Sequence, residues 1–133
     1  MINFDEIQKK IYEFGEKIGL PKWELRIYNS PQNDGTPYIK IFEDSYLYIS
    51  EENGKVFFEK TTDCIDELYY WIMDDFISKF SYKFELKNRI KNQDSRRLIF
   101  SKALELFSKI NLKWVDRKKE YINNILESNP YSD

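Results

Sequence analysis

Histidine is absent from this 133-residue chain. That removes the commonest general base, the usual partner of a nucleophilic serine or cysteine, and the commonest transition-metal ligand. The single cysteine, Cys64, has no second thiol with which to form a disulfide or a thiolate zinc site. Glycine is scarce, and none of its positions falls in a GxGxxG or GxxxxGKS/T pattern, so there is no phosphate-cradling loop. No run approaches the roughly 18 apolar residues of a membrane span, and the opening MINFDEIQKK is acidic where a secretory signal would be basic. These absences predict a cytoplasmic protein and disfavour catalysis. Carboxylates alone could still run glycoside-type or magnesium chemistry.

What is present reads as one folded domain. A chain of this length can bury a core without disulfides or metal, and 41% hydrophobic with 33% charged residues is a globular rather than a disordered balance. Charge is unevenly spread. Residues 1–80 carry 16 acidic and 9 basic side chains, while 81–133 carry 7 and 12, so the first part could steer a cationic partner or simply attract the second. Lys113, Arg117, Lys118 and Lys119 cluster, but a pI near 5.4 and the lack of a binding motif argue against nucleic acid.

Periodicity predicts an α+β fold: an N-terminal helix, a four-stranded antiparallel meander, then three to four helices packed on one face of the sheet. Phe4, Ile7, Ile11, Phe14 and Ile18 recur at helical spacing, and Gly19 with Pro21 ends that run. WELRIYN alternates as a strand should, and SPQNDGTP is a loop. YIKIF, SYLYIS and KVFFEKT follow as strands with short connections, Asn53-Gly54 being the strongest hairpin cue. Thr61 or Thr62 is expected to cap a long helix that bends or breaks near 78–81. Two further helices are expected, from Ser95 to about Ile110 and over 112–128 behind Asn111.

Three constellations are candidates for function. If Leu25, Ile27, Ile39, Ile41, Leu47 and Ile49 face the helices, then Arg26, Tyr28, Tyr38, Lys40, Phe42, Tyr46 and Tyr48 point away, giving a tyrosine-rich face suited to a protein partner. The plainer reading is that tyrosine is a good strand former. Glu43, Asp44, Glu51 and Glu52 at the strand turns form an acidic set that could meet a cationic partner, or be a solvated face. Asp74-Asp75, with Glu67, is the best available divalent-metal grouping, but no further ligand can be placed beside it.

The third constellation is NQDSRR (92–97). Asp94 has the pattern of a helix N-cap, which sets two cations, Arg96 and Arg97, at the positive end of the helix dipole. Arg96 falls on the apolar stripe of Ile99, Phe100, Ala103 and Leu106, so it needs a carboxylate, with Glu85 and Asp94 in reach. It is therefore expected to be structural. Arg97, at the edge, is expected to be freer to touch a partner.

The order GTPYIKI (35–41), YLYISEENGK (46–55), TTDCIDELYYWIMDDF (61–76), YKFELKNRIKNQDSRRLIFSKALELF (82–107) and ILESNPYSD (125–133) resembles immunity protein family 63 of bacterial polymorphic-toxin systems. Its most specific parts are DELYYW and the YxxELxxRxxxxDxRRxxF arrangement. Departures are Asn53, where Arg is expected in a Glu-Arg-Gly turn, and Ala103, where Gln is expected. The resemblance implies a small protein that neutralises a cognate toxin domain by occupying its surface, with no catalytic residues and no cofactor. No nucleic acid or membrane is expected as a partner, and the protein is expected to be a monomer or weak dimer.

Overall fold

A computed structural model describes all 133 residues. Helix α1 spans Phe4–Ile18. It starts where the Asn3 side chain accepts the Glu6 N–H at 2.9 Å and donates back to the Glu6 carboxylate at 3.0 Å, a reciprocal cap. It stops where Gly19 takes a left-handed φ of 74°, a conformation that costs glycine nothing. Ile7 and Ile11 on its inner stripe are fully buried, each worth about 1.5–3 kcal/mol of transfer free energy. Gly15 lies on the same side because Leu25 fills the space a Cβ would need.

The segment after α1 is where the fold departs from expectation. A short 3-10 turn over Lys22–Glu24 leaves Trp23 exposed, and Leu25–Tyr28 joins no ladder. The sheet therefore has three strands, not four. The reason lies in Gln8 of α1. Its side-chain amide donates to Leu25 O at 2.9 Å and accepts from Ile27 N–H at 2.8 Å, supplying the pair of bonds a neighbouring strand would have made. One backbone bond, Ile39 N–H to Tyr28 O, ties the segment to the sheet edge.

Strands β1 (Tyr38–Ile41), β2 (Tyr46–Glu52) and β3 (Lys55–Thr62) form an antiparallel sheet in the order β1-β2-β3. Asn53 and Gly54 both have positive φ, as the two-residue β2–β3 hairpin requires. A register shift at Ser50/Glu51 leaves Phe57 without a partner on β2.

Helix α2 (Ile65–Lys87) follows, without interruption at 78–81. Neither Thr61 nor Thr62 caps it, because β3 runs on to Thr62. Instead Thr62 Oγ1 accepts the Cys64 N–H, and Cys64 O takes the first helical bond from Leu68.

The chain forms two compact units, Met1–Met73 and Asp74–Asp133, and α2 passes from the first into the second. In the second unit α3 (Ser95–Ser108) starts at Asp94, and α4 (Leu112–Ser128) starts at Asn111, whose side chain accepts the Lys113 N–H. Ala103, Leu106, Phe107, Trp114 and Ile122 are buried there, Phe107 and Trp114 meeting edge to face at 6.3 Å. No helix is long and apolar enough to cross a membrane.

Candidate protein-interaction surface

The strand register decides what the tyrosines do. Ile39 pairs with Tyr48 and Tyr38 with Ile49, so directly opposed residues place Ile39, Ile41, Tyr46 and Tyr48 on one face and Tyr38, Lys40, Leu47 and Ile49 on the other. The first face meets helices. Tyr46 Oη accepts the Ile2 N–H at 2.7 Å, and the Tyr48 ring stacks on Trp71 of α2 at 6.2 Å. On the second face Tyr38, Leu47 and Ile49 cluster under Tyr28.

Tyr38, Tyr46 and Tyr48 are only 4%, 2% and 5% exposed. The expected exposed tyrosine face does not exist; three of its four tyrosines are core. Tyr28 is half-buried beneath the Arg26 guanidinium, 5.4 Å from its ring. Burial, then the hydrogen bond donated to Glu51 at 2.9 Å, pushes the Tyr38 hydroxyl pKa above the ordinary tyrosine value.

The acidic set is also dispersed. Glu43 and Asp44 are exposed in the β1–β2 turn, whereas Glu51 and Glu52 end β2 at its other end, about 20 Å away at strand rise. Glu51 is partly occupied by Tyr38; Glu52 is exposed.

The first unit leaves both sheet edges open: β3, where Val56 and Phe57 are half exposed, and the outer edge of β1, which borders a hollow. Phe4, Asn29, Ile39, Lys40, Ile41 and Phe42 line a hollow of about 370 Å³. Phe42 N–H bonds to Ser45 O, so by the antiparallel alternation Ile39 and Ile41 turn their backbone groups away from β2. Tyr28 O takes the Ile39 N–H, and Ile41 keeps its N–H and C=O toward the edge. Phe42 is half exposed, with Lys40 on one side and Glu43-Asp44 on the other. The edge thus combines unpaired backbone groups, a hollow of mixed polarity and charges of both signs, features by which a strand edge can pair with another chain.

The arginine doublet holds its own chain. Asp94 Oδ1 accepts the Arg96 N–H at 2.9 Å and its carboxylate binds the Arg96 guanidinium, with Nη2 at 2.9 Å. Arg96 also donates to Asn129 O and Pro130 O at 2.7 and 2.8 Å. The structural role expected of Arg96 is thus present, with Asp94 as the partner and not Glu85. Arg97 is not free either: its Nε donates to Asp133 Oδ2 at 2.7 Å, and its guanidinium lies 4.0 Å from the centre of the Tyr131 ring. Asp133 Oδ1 accepts the Asp94 N–H at 2.6 Å, and Asp94 Oδ2 accepts the Ser132 N–H at 3.0 Å. Two carboxylates and the 129–133 segment therefore offset the two cations at the start of α3. Arg96, then the backbone N–H groups of Arg96 and Ser132, hold the Asp94 carboxyl far below the usual carboxylate range.

Glu85 is 2% exposed and takes a two-point hydrogen bond from Arg89, at 2.9 and 3.1 Å, which lowers its pKa. Asp74 receives the Lys118 ammonium at 2.8 Å, and Asp75 pairs with Lys79 at 3.0 Å. Asp74 and Asp75 are thus each held by a lysine, and no group of three or more His, Cys, Asp or Glu residues is placed to hold a metal. Lys118 itself is buried, which takes it out of the basic cluster on α4.

Sequence reasoning missed Gln8, the β1 hollow and the Asp74–Lys118 pair. A signal for the last existed: Lys118 lies four residues from both Trp114 and Ile122, on the buried stripe of α4.

Comparison with known proteins gives one match. The family model described as Immunity protein 63 matches residues 43–124, a narrower span than the resemblance over 35–133. No curated protein and no solved structure matches.

Proposed function

This chain belongs to the Immunity protein 63 family, and on that premise we propose that it binds a cognate toxin domain of a bacterial polymorphic-toxin system and neutralises it by occupying its surface. The observation that carries this reading is the family match across more than half of the chain. Inhibition works by binding, without catalysis or cofactor, in the cytoplasm of the producing cell. The contact on the sheet unit is the β1 edge: Phe42 enters an apolar site on the toxin, Ile41 offers its free backbone groups, and Lys40, Glu43 and Asp44 form the polar rim. Tyr38, Tyr46 and Tyr48 hold this edge in shape from behind. Tyr28 lies beside it, Glu51 supports it through Tyr38, and Glu52 belongs to the other end of the sheet.

The test is growth of cells expressing the toxin encoded beside this gene, together with titration of the inactivated toxin domain. The wild-type protein restores growth and binds. A Phe42→Asp, Glu43→Lys variant, folded by circular dichroism, binds roughly 30-fold or more weakly, the effect of losing one central interface anchor. If the wild-type protein neither binds nor restores growth, the function is wrong. If the variant binds as well as wild type, the β1 assignment is wrong.

A further inference from the structure

The last turns of α2 and the connection beyond them carry a surface that nothing in the helical unit uses. Tyr82 and Leu86 lie one helical turn apart, and Ile90 follows just past the helix end; they are 56%, 50% and 50% exposed. Three large apolar side chains exposed within nine residues are more than scattered surface residues, and such clusters mark contact sites.

Cations surround them. Lys83 and Lys87, one turn apart and exposed, have no acidic partner, and neither does Lys91 in the connection. Lys79 is balanced by Asp75. The nearby Glu85 is turned inward and is already neutralised by Arg89. The strip therefore has an uncompensated positive rim around an apolar centre.

Arg89 adds the second observation. Its guanidinium is 61% exposed, yet it is gripped at two points by a carboxylate that is itself 2% exposed. A buried carboxylate left without a cation would cost several kcal/mol, so this pair is held firmly. Here the cation stands at the surface near Tyr82, held by the two-point bond to Glu85. Tyr and Arg, fixed before binding and next to aliphatic side chains, are the composition of an interface centre.

We propose that Tyr82, Leu86, Arg89 and Ile90, rimmed by Lys83 and Lys87, form a second docking surface, and that its occupant is a face of the toxin domain that sets apolar side chains between carboxylates. This rests on the toxin-binding reading above and names the chemistry that reading left open. Charge chooses the occupant: the uncompensated lysines repel a basic surface and draw an acidic one, raising the association rate and making it sensitive to salt.

The experiment is titration of the inactivated toxin domain from the neighbouring gene against full-length wild type, Tyr82→Ser with Leu86→Ser, and Lys83→Glu with Lys87→Glu. All four positions are exposed, so the variants are expected to keep the wild-type melting temperature. The apolar pair should weaken binding at least tenfold, mainly through faster dissociation. The charge-reversed pair should slow association about tenfold at low salt, and the difference should shrink in 0.5 M salt. If wild type binds and both variants bind equally well, this inference falls while the toxin-binding function stands. If wild type does not bind the toxin, both fall. Vesicles containing phosphatidylserine, a single-stranded oligonucleotide and sedimentation of the protein alone complete the test. Loss of vesicle binding, oligonucleotide binding or self-association in the same variants, with toxin affinity unchanged, would assign the strip to that occupant and overturn the proposal.

Discussion

The sheet unit and the helical unit close around different kinds of bond. In Met1–Met73 the buried ties are apolar or neutral: Ile7, Ile11, Leu25 and Ile39 in the core, the Gln8 amide on the backbone of Leu25 and Ile27, and Ser50 Oγ on Gly35 O at 2.6 Å. In Asp74–Asp133 an apolar core of Leu106, Phe107, Trp114 and Ile122 is joined by ionic ties, some buried and some at the surface: Asp74–Lys118, Glu85–Arg89, Asp94–Arg96 and Arg97–Asp133. Net charge follows the same division, with 14 acidic and 8 basic side chains in the first unit against 9 and 13 in the second. One chain thus places its acid-sensitive groups in one unit and its alkali-sensitive groups in the other.

The two units should therefore fail at opposite ends of the pH scale. Asp94, Asp133 and Glu85 are held below their unfolded values, Asp94 chiefly by Arg96, Asp133 by the Asp94 N–H and then Arg97, and Glu85 by Arg89. Their stabilisation is complete above about pH 5 and drains away as pH falls further. Tyr38 and Tyr69 are raised chiefly by burial, so their contribution is complete below about pH 10 and is lost as pH rises above it.

The sharpest break in the comparison is Ile11→Ala. Removing a fully buried side chain from the sheet unit should cost about 2–5 kcal/mol in urea unfolding, with little dependence on salt. Gly15→Ala comes next. A helix interior normally gains from this change, but here the new methyl meets Leu25, and a loss of about 1–3 kcal/mol is expected. Arg96→Ala tests the helical unit. Its melting temperature should fall clearly below wild type at pH 7, and the gap should narrow as pH drops below about 5, where Asp94 loses its own advantage. A gap independent of pH would remove the ionic account. The smallest effect is that of Tyr38→Phe, at most about 1 kcal/mol at neutral pH, with a flatter alkaline limb of the stability profile.

Local pattern was enough for much of this fold. The α1 stripe, the Asp94 and Asn111 caps and the Asn53-Gly54 turn all rest on residues within a few positions of each other, and each lies where the sequence puts it. What was not legible depends on pairings across the chain. Alternation assigns sides within a strand but not the phase between strands, so nothing local said that Ile39 would face with Tyr48 and bury the tyrosines. The fourth strand was lost to Gln8, which lies 17 and 19 residues from its partners. Arg97 looked free because Asp133 is 36 positions away. The dispersal of the acidic turns could have been foreseen, because successive turns of a meander lie at opposite ends of the sheet.

The central claim is that the partner meets the surfaces these units leave open, not the tyrosines they bury. Amide hydrogen exchange of the complex with the inactivated toxin domain tests it most directly. The account predicts new protection at Ile41–Asp44 and at residues 88–92, with the β2 amides of Tyr46–Ser50 as slow in the free protein as in the complex. Protection confined to β3 or to α4, with both predicted segments unchanged, would contradict it.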